Sequence, residues 1–237
     1  MLNLLKTTQF LPLFITQFLG AFNDNLFKNS MTILITYVVA EKAGLNAQLM
    51  VTLAAGIFIF PFFLFSATAG KLADKYEKSK LIRTLKTIEI FIMIAASIGL
   101  YISNIYCLMA VLFLLGTQSS FFGPLKYSIL PTHLKQDELI GGNALIEMGT
   151  FLAILLGTII SGVVILTDNG LFIVSLLMIL MSVIGWLASR SIPLAKPADS
   201  SLTLSWNIVR ETWHIIEQSR SRRDVFLSII GISWFWF

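Results

Sequence analysis

Residues 70–80 read GKLADKYEKSK, with six charged side chains in eleven positions. On either side lie two mostly apolar runs, about Leu49 to Ala69 with no charge and about Leu81 to Ile102 with Arg83, Lys86 and Glu89 in its first half. A bilayer core needs about 20 consecutive apolar residues to be crossed by a helix. Both runs meet that length, so the charged stretch reads as a loop at a membrane surface between two spans.

The same rule applies outward in both directions. The spans expected are about Phe10 to Val39, Leu49 to Ala69, Leu81 to Ile102, Ile105 to Tyr127, Leu139 to Leu166 and Leu171 to Leu187. Pro61 predicts a local kink in the second, and Pro124 a kink or an end in the fourth. Only Ser103 and Asn104 separate spans 3 and 4, and Thr167–Gly170 forms the turn between spans 5 and 6. The opening MLNLLKTTQFLPLF superficially resembles a signal peptide. No small-x-small cleavage site follows a short core, and the apolar run continues past Val38, so it reads as a retained first span.

Composition agrees. Of the 237 residues, 56% are hydrophobic and 13% charged, whereas soluble domains carry about a quarter charged residues. The net charge of +4 arises from Lys and Arg in short loops between apolar runs, a membrane-orientation pattern that excludes nucleic acid as a partner. Cys107 is the one cysteine and reads as a small apolar filler. His133 and His214 are far apart, so no metal-ligand cluster and no cofactor are expected.

Lysine and arginine are distributed one-sidedly. Lys71, Lys75, Lys78, Lys80, Arg83 and Lys86 surround loop 2–3, Lys126 and Lys135 loop 4–5, and Arg190, Lys196, Arg210, Arg220, Arg222 and Arg223 follow span 6. The opposite side holds only Lys42. The positive-inside rule therefore puts the N-terminus and the even-to-odd loops in the cytoplasm. Three regions are expected: a six-helix transmembrane bundle over 1–189, a cytoplasmic connecting segment over 190–223, and the start of a seventh transmembrane helix over 224–237. In the middle region Ser205–Gln218 predicts an amphipathic helix on the membrane surface, with Trp206, Val209, Trp213 and Ile216 on its apolar face. Six spans, a long basic connection and a further apolar run of about 13 residues are the plan of an all-α transporter built from two halves, of which this sequence would be the first.

Loop 2–3 resembles the signature that follows span 2 in the major facilitator superfamily, G-x-x-x-D-[R/K]-x-G-[R/K]-[R/K]. Gly70, Asp74, Lys75 and Lys78 match in register, while Glu77 stands at the second glycine and Ser79 at the last basic position. The resemblance implies a twelve-helix fold and a gating role for the four matching residues. QFLGAFNDN (17–25), GPLKYSILP (123–131) and NALIEMGTFLAILLGT (143–158) are similar to the bacterial lysophospholipid transporter branch. That branch implies inward movement of lysophospholipid, chiefly lysophosphatidylethanolamine, across the bacterial inner membrane. It also implies re-acylation by an acyltransferase that is separate or fused beyond residue 237. No acyltransferase motif lies within the sequence, so this segment is expected to be no enzyme.

Polar groups inside the spans are the candidate substrate or ion path. Asp24 lies about 20 Å along the first span, where a charge faces a bundle interior or a water path. Lys28 is one turn on and able to pair with it. Asn25 and Asn29 widen the stripe, and Gly20 leaves space beside it. Glu147 is the lone charge of span 5, with Asn143 on the same face, and is expected to share one central site with Asp24. Gln118, Ser119 and Ser120 form a second polar patch, and Lys126 stands nearer the cytoplasmic exit as an anchor or a phosphate contact. Lys86 and Glu89 read as a structural pair, on a helix that the superfamily resemblance implies packs to the outside of the half-bundle. Gly157, Ser161, Gly162, Ala54, Ala55 and Gly56 predict close helix contacts, and Phe58, Phe60, Phe62, Phe63 and Phe65 predict lipid contact. Transport of another small or amphipathic substrate, or a non-transporting anchor for an acyltransferase, stays open, as does a proton or sodium as coupling ion.

The orientation has a direct measurement. Cysteines placed at Lys42 and Asp168 should react with an impermeant label from outside the cell, and cysteines at Ser79 and Lys135 should not; reversed labelling would sink the assignment.

Overall fold

The computed structural model describes residues 2–39, 44–202 and 208–236, and every regular element among them is helical. The long helices are α1 (Leu11–Leu34), α2 (Ala47–Lys75), α3 (Lys78–Ile102), α4 (Ile105–Ser128), α5 (Leu139–Val164) and α6 (Gly170–Arg190). Two shorter ones follow, α7 (Ile208–Arg220) and α8 (Arg223–Trp236). The all-α membrane architecture expected from the sequence is the one observed; α2, α3, α4 and α6 extend beyond the apolar runs, and α1 and α5 stop short of theirs. The Lys42 and Trp206 positions lie outside the described residues.

Five helices, α2 to α6, are long and apolar enough to cross a membrane. The 24-residue α1 falls short of that apolarity because of its polar cluster, yet it runs between the same two ends of the bundle. Phe10 and Leu13 pack with Leu134, Leu145 and Ile192 at one end, and Met31, Leu34 and Ile35 join the cluster of Leu100, Ile105 and Ile165 at the other. The reason is position. α1 packs chiefly against α5 and α6, so its neighbours shield it from lipid and its polar residues face protein. The other principal contacts are α2 with α4, α3 with α6 and α3 with α4.

Close approach depends on small residues. A Cβ on Gly157 would come within 2.8 Å of the Phe22 carbonyl oxygen, which lets α5 lie on the α1 backbone. Gly116, not singled out from sequence, does the same for α4 on α2, with the Phe58 carbonyl 2.4 Å from the position of a Cβ. Ala54 and Ser161 are buried as expected, but Gly56 and Gly162 face open space. Both prolines sit inside continuous helices, so Pro124 does not end α4. The two-residue α3–α4 turn works because Ser103 adopts a left-handed conformation (φ 51°) and the Asn104 side chain accepts the Cys107 N–H at 3.1 Å.

The basic end is held by main-chain hydrogen bonds to the segment after α6. Ala198 and Asp199 N–H groups donate to the Asp74 carbonyl at 2.9 and 3.1 Å, and Lys78 N–H donates to the Ala195 carbonyl at 3.2 Å. Arg83 donates to the Ser189 and Ile192 carbonyls at 3.3 and 2.8 Å. Glu77 occupies the N-cap of α3, accepting from Ser79 N–H (3.0 Å) and Lys80 N–H (2.8 Å), and takes a third N–H from Ala195 at 2.9 Å. Gly70 has open space on the side where a Cβ would stand, and Lys78 is buried with Nζ 3.5 Å from the Lys196 carbonyl. α7 packs against α2 and α8.

Burial alone would raise the Glu77 pKa, but donation from the Ser79 hydroxyl and the Ala195, Lys80 and Ser79 N–H groups outweighs it and holds the carboxyl below its usual range. Its contribution is therefore present at neutral pH and lost as the pH falls through and below the ordinary glutamate range. Glu77→Ala should destabilise the fold by about 1–2 kcal/mol and flatten that acid-side loss. A melting-temperature series from pH 7 to pH 4 checks both, and parallel curves for the two proteins would refute the capping role.

Candidate functional site

Helices α1, α2, α3, α4 and α5 surround a cavity of about 300 Å³. Its charged lining comprises Asp24 and Lys28 from α1, Lys86 and Glu89 from α3, and Lys126 from α4. A neighbouring cavity of about 320 Å³ shares Asn25, Lys28 and Phe58 with it and is otherwise lined by groups such as Asn29, Thr32, Val51, Ala54, Leu112 and Thr158. Helix periodicity explains the division of α1. Gly20, Asp24 and Lys28 recur every four residues and face the first cavity, whereas Asn23 turns the opposite way, into the α3–α6 interface.

Asp24 accepts a hydrogen bond from the Ser119 hydroxyl at 2.7 Å. It forms no ion pair with Lys28. The Lys28 ammonium lies instead over the Phe58 ring, 4.2 Å from its centroid, a favourable placement for a cation out of water. The pairing that the four-residue spacing allows is not the one observed: the side chains share a wall, and each has a different close partner. Phe58 and Phe62 line the cavity, while Phe60 and Phe63 are exposed and Phe65 stacks on Phe121 at 5.7 Å.

The buried ion pair is Lys86 with Glu89, 2.6 Å apart and each 1% exposed. Glu89 also accepts from Gln118 Nε2 at 3.3 Å and from Asn23 Nδ2 at 3.5 Å, and Asn23 Nδ2 donates to the Met178 carbonyl at 3.1 Å. The pair thus joins α1, α3, α4 and α6 in the middle of the bundle, not at its outside. The space beside Gly20 is filled by the lysine: a Cβ there would sit 2.8 Å from Lys86 Nζ, and one on Gly185 3.6 Å from it. Two charges three residues apart in an otherwise apolar run were the signal for this site, since such charges have to face inward.

The remaining candidates divide. Lys126 lines the cavity, with Nζ 3.5 Å from Thr150 Oγ1 and 4.8 Å from the Tyr127 ring centroid. Glu147 accepts from the Tyr127 hydroxyl, is half-buried, and does not line the cavity that holds Asp24. Asp24 and Lys126 thus line one cavity, and Glu147, expected to share it, is not among its lining residues. Asn143 is exposed and bonds its own helix at the Leu139 carbonyl (2.9 Å). Asn25 bonds the Ala21 carbonyl (2.8 Å), and Asn29 reaches across to Thr158 Oγ1 (3.0 Å). Ser120 is spent on the Thr117 carbonyl at 2.7 Å. No group of three or more His, Cys, Asp or Glu able to hold a metal occurs among the described residues.

A multi-pass helical bundle with a charged cavity inside it defines a class of membrane protein built around an internal polar site. The chain belongs to the Major Facilitator Superfamily, whose family model matches residues 13–237. It is 26% identical over 225 residues to the lysophospholipid transporter LplT of Escherichia fergusonii and to that of Escherichia coli O1:K1, an overlap covering 94% of this chain and 53% of each relative. The chain therefore spans about half the length of the curated relatives it matches. The crystal structure of a mutant peptide transporter POT in complex with sulfate shares the fold, with a TM-score of 0.59 and 22% identity over 96% of this chain and 47% of that one.

The contrast between the two carboxylates can be measured. Lys86→Met strands the Glu89 carboxylate and should cost about 3–5 kcal/mol, with the Lys86→Met/Glu89→Gln double variant recovering most of it. Asp24→Asn breaks no ion pair and should lower the melting temperature far less than Lys86→Met. Equal destabilisation by the two single changes would contradict this geometry.

Proposed function

We propose that this chain is the N-terminal half of a transporter that carries lysophospholipid inward across the bacterial inner membrane, with lysophosphatidylethanolamine as the main substrate. One observation carries the reading: a carboxylate, Asp24, and two lysines, Lys28 and Lys126, face a single cavity, while Lys86 and Glu89 cancel each other's charge. An ethanolamine phosphate headgroup is the complement of such a set. Its ammonium pairs with Asp24, and its phosphate takes Lys126 together with Lys28, which leaves the face of Phe58 to do so. A full charge in hydrocarbon needs a partner close by, so a site of this kind favours an amphiphile whose head carries both signs. The names of the curated relatives support the same substrate class.

The other proposed roles follow from placement. Asn25 and Gln118 line the headgroup cavity, and the Glu147–Tyr127 contact with the adjacent Lys126 closes its basic end. Asn143, exposed one turn before Glu147, is assigned to the mouth of that path. Gly70, Asp74, Lys75 and Lys78 form the moving junction at the basic end, where Asp74 and Lys78 already hold the segment after α6. That end is taken as cytoplasmic, where the imported lysolipid meets a separate or fused acyltransferase. A proton or sodium ion is the coupling candidate, with the Asp24 carboxylate as its receptor.

Reconstitution of the full-length protein tests this. Uptake of labelled lysophosphatidylethanolamine should be saturable and should respond to an imposed proton or sodium gradient. Asp24→Asn or Lys126→Met should each lower it about tenfold or more, the loss of one contact to a charged group, with protein levels unchanged. Undiminished transport by Asp24→Asn would remove that carboxylate from the mechanism.

A further inference from the structure

Asp24 and the Lys86–Glu89 pair are connected by side chains. Ser119 Oγ lies 2.7 Å from Asp24 Oδ2 and 3.3 Å from Gln118 Oε1, and Gln118 Nε2 lies 3.3 Å from Glu89 Oε2, which is 2.6 Å from Lys86 Nζ. The orientation of the Gln118 amide is fixed by its two neighbours. Its N–H group meets a carboxylate and its oxygen meets a hydroxyl, whereas the flipped amide would set oxygen against carboxylate.

We propose that Gln118 is a positioning residue: with Ser119 it bridges the site carboxylate Asp24 to the buried Lys86–Glu89 pair, so that a cation bound at Asp24 alters how α1 is held against α3 and α6. The bridge works through one proton. The Ser119 hydroxyl has a single hydrogen and two acceptors in reach. With Asp24 unpaired, the carboxylate is the stronger acceptor and takes it. When a cation draws off the charge of Asp24, the hydrogen turns to Gln118 Oε1. An amide whose oxygen accepts a bond donates more strongly through its nitrogen, so Gln118 takes a larger share of Glu89 Oε2 and Lys86 a smaller one. The Lys86 ammonium lies beside Gly20 and Gly185, and Glu89 accepts from Asn23 of α1, whose amide also donates to the Met178 carbonyl of α6. A shift of Glu89 toward Gln118 therefore loosens that three-helix junction. Gln118 thus does more than line the substrate path.

The cation that acts at Asp24 comes from the lysolipid reading, but the first test needs no substrate. In the full-length protein, the melting-temperature shift of Asp24→Asn is measured alone and together with the Lys86→Met/Glu89→Gln pair replacement. That replacement also removes the direct field of Glu89 at Asp24, so part of the coupling passes through space, and the bridge is the part that is lost when Gln118 or Ser119 is cut. The shifts should be non-additive, and the non-additivity should fall by more than half when Gln118→Leu or Ser119→Ala is added. Ser119→Ala is the gentler cut and does not touch Glu89. Additive shifts in the parent, or coupling that survives both cuts, overturn the proposal.

The second readout is transport of a lysolipid with a primary ammonium headgroup. Gln118→Leu should lower the maximal rate per folded protein by about fivefold and leave the half-saturating concentration unchanged. A raised half-saturation at unchanged maximal rate would make Gln118 a lining group and overturn the bridge. A parent protein that moves no lysolipid would sink the substrate reading instead, and the melting cycle would still decide on the bridge.

Discussion

A carboxylate placed among hydrocarbon chains has to be neutralised within its own protein, and Glu89 meets that demand through Lys86 at 2.6 Å. Much of the bundle is arranged around this contact. At Gly20 the lysine occupies the place a methyl would take, 2.8 Å from Lys86 Nζ, and Gly185 lies beside the same side chain. Asn23 turns away from the cavity because the second carboxylate oxygen and the Met178 carbonyl need a donor. α1 sits among its neighbours with a polar stripe that lipid would not tolerate, and it is the pair's four-helix junction that encloses it. The cavity then faces the opposite side of the stripe. With Lys86 and Glu89 cancelling, its electrostatic character is left to Asp24, Lys28 and Lys126.

The fold was largely legible because its signal is one-dimensional. Six apolar runs, a two-residue turn at Ser103–Asn104 and basic residues clustered in alternate loops leave few arrangements open. What sequence distance hides is partnership between helices. Lys28 lies one turn from Asp24, and proximity along α1 suggested a pair; Phe58, thirty positions on, supplies the face that holds the ammonium. Lys86 and Glu89 were recognised as a pair, but nothing in α3 alone says which side of that helix meets the bundle. Glu147 and Asp24 looked like members of one site because both are lone acids within spans. The Tyr127 hydroxyl, on a third helix, draws Glu147 aside.

Glu77 shows a different limit. Against the superfamily pattern it is a mismatch, a carboxylate where a glycine is usual. In three dimensions it caps α3 and takes the Ala195 N–H, two bonding tasks for which a glycine has no side chain. The departure from the family motif thus coincides with a local contact that the side chain itself makes.

The strip of main chain after α6 has a mechanical consequence. Residues 195–199 are laid along the α2–α3 junction by hydrogen bonds at Asp74, Glu77 and Lys78. Force applied to the polypeptide beyond residue 199 is therefore not borne by the end of α6 alone. It is shared with the α2–α3 hairpin, as a shear across several hydrogen bonds in parallel.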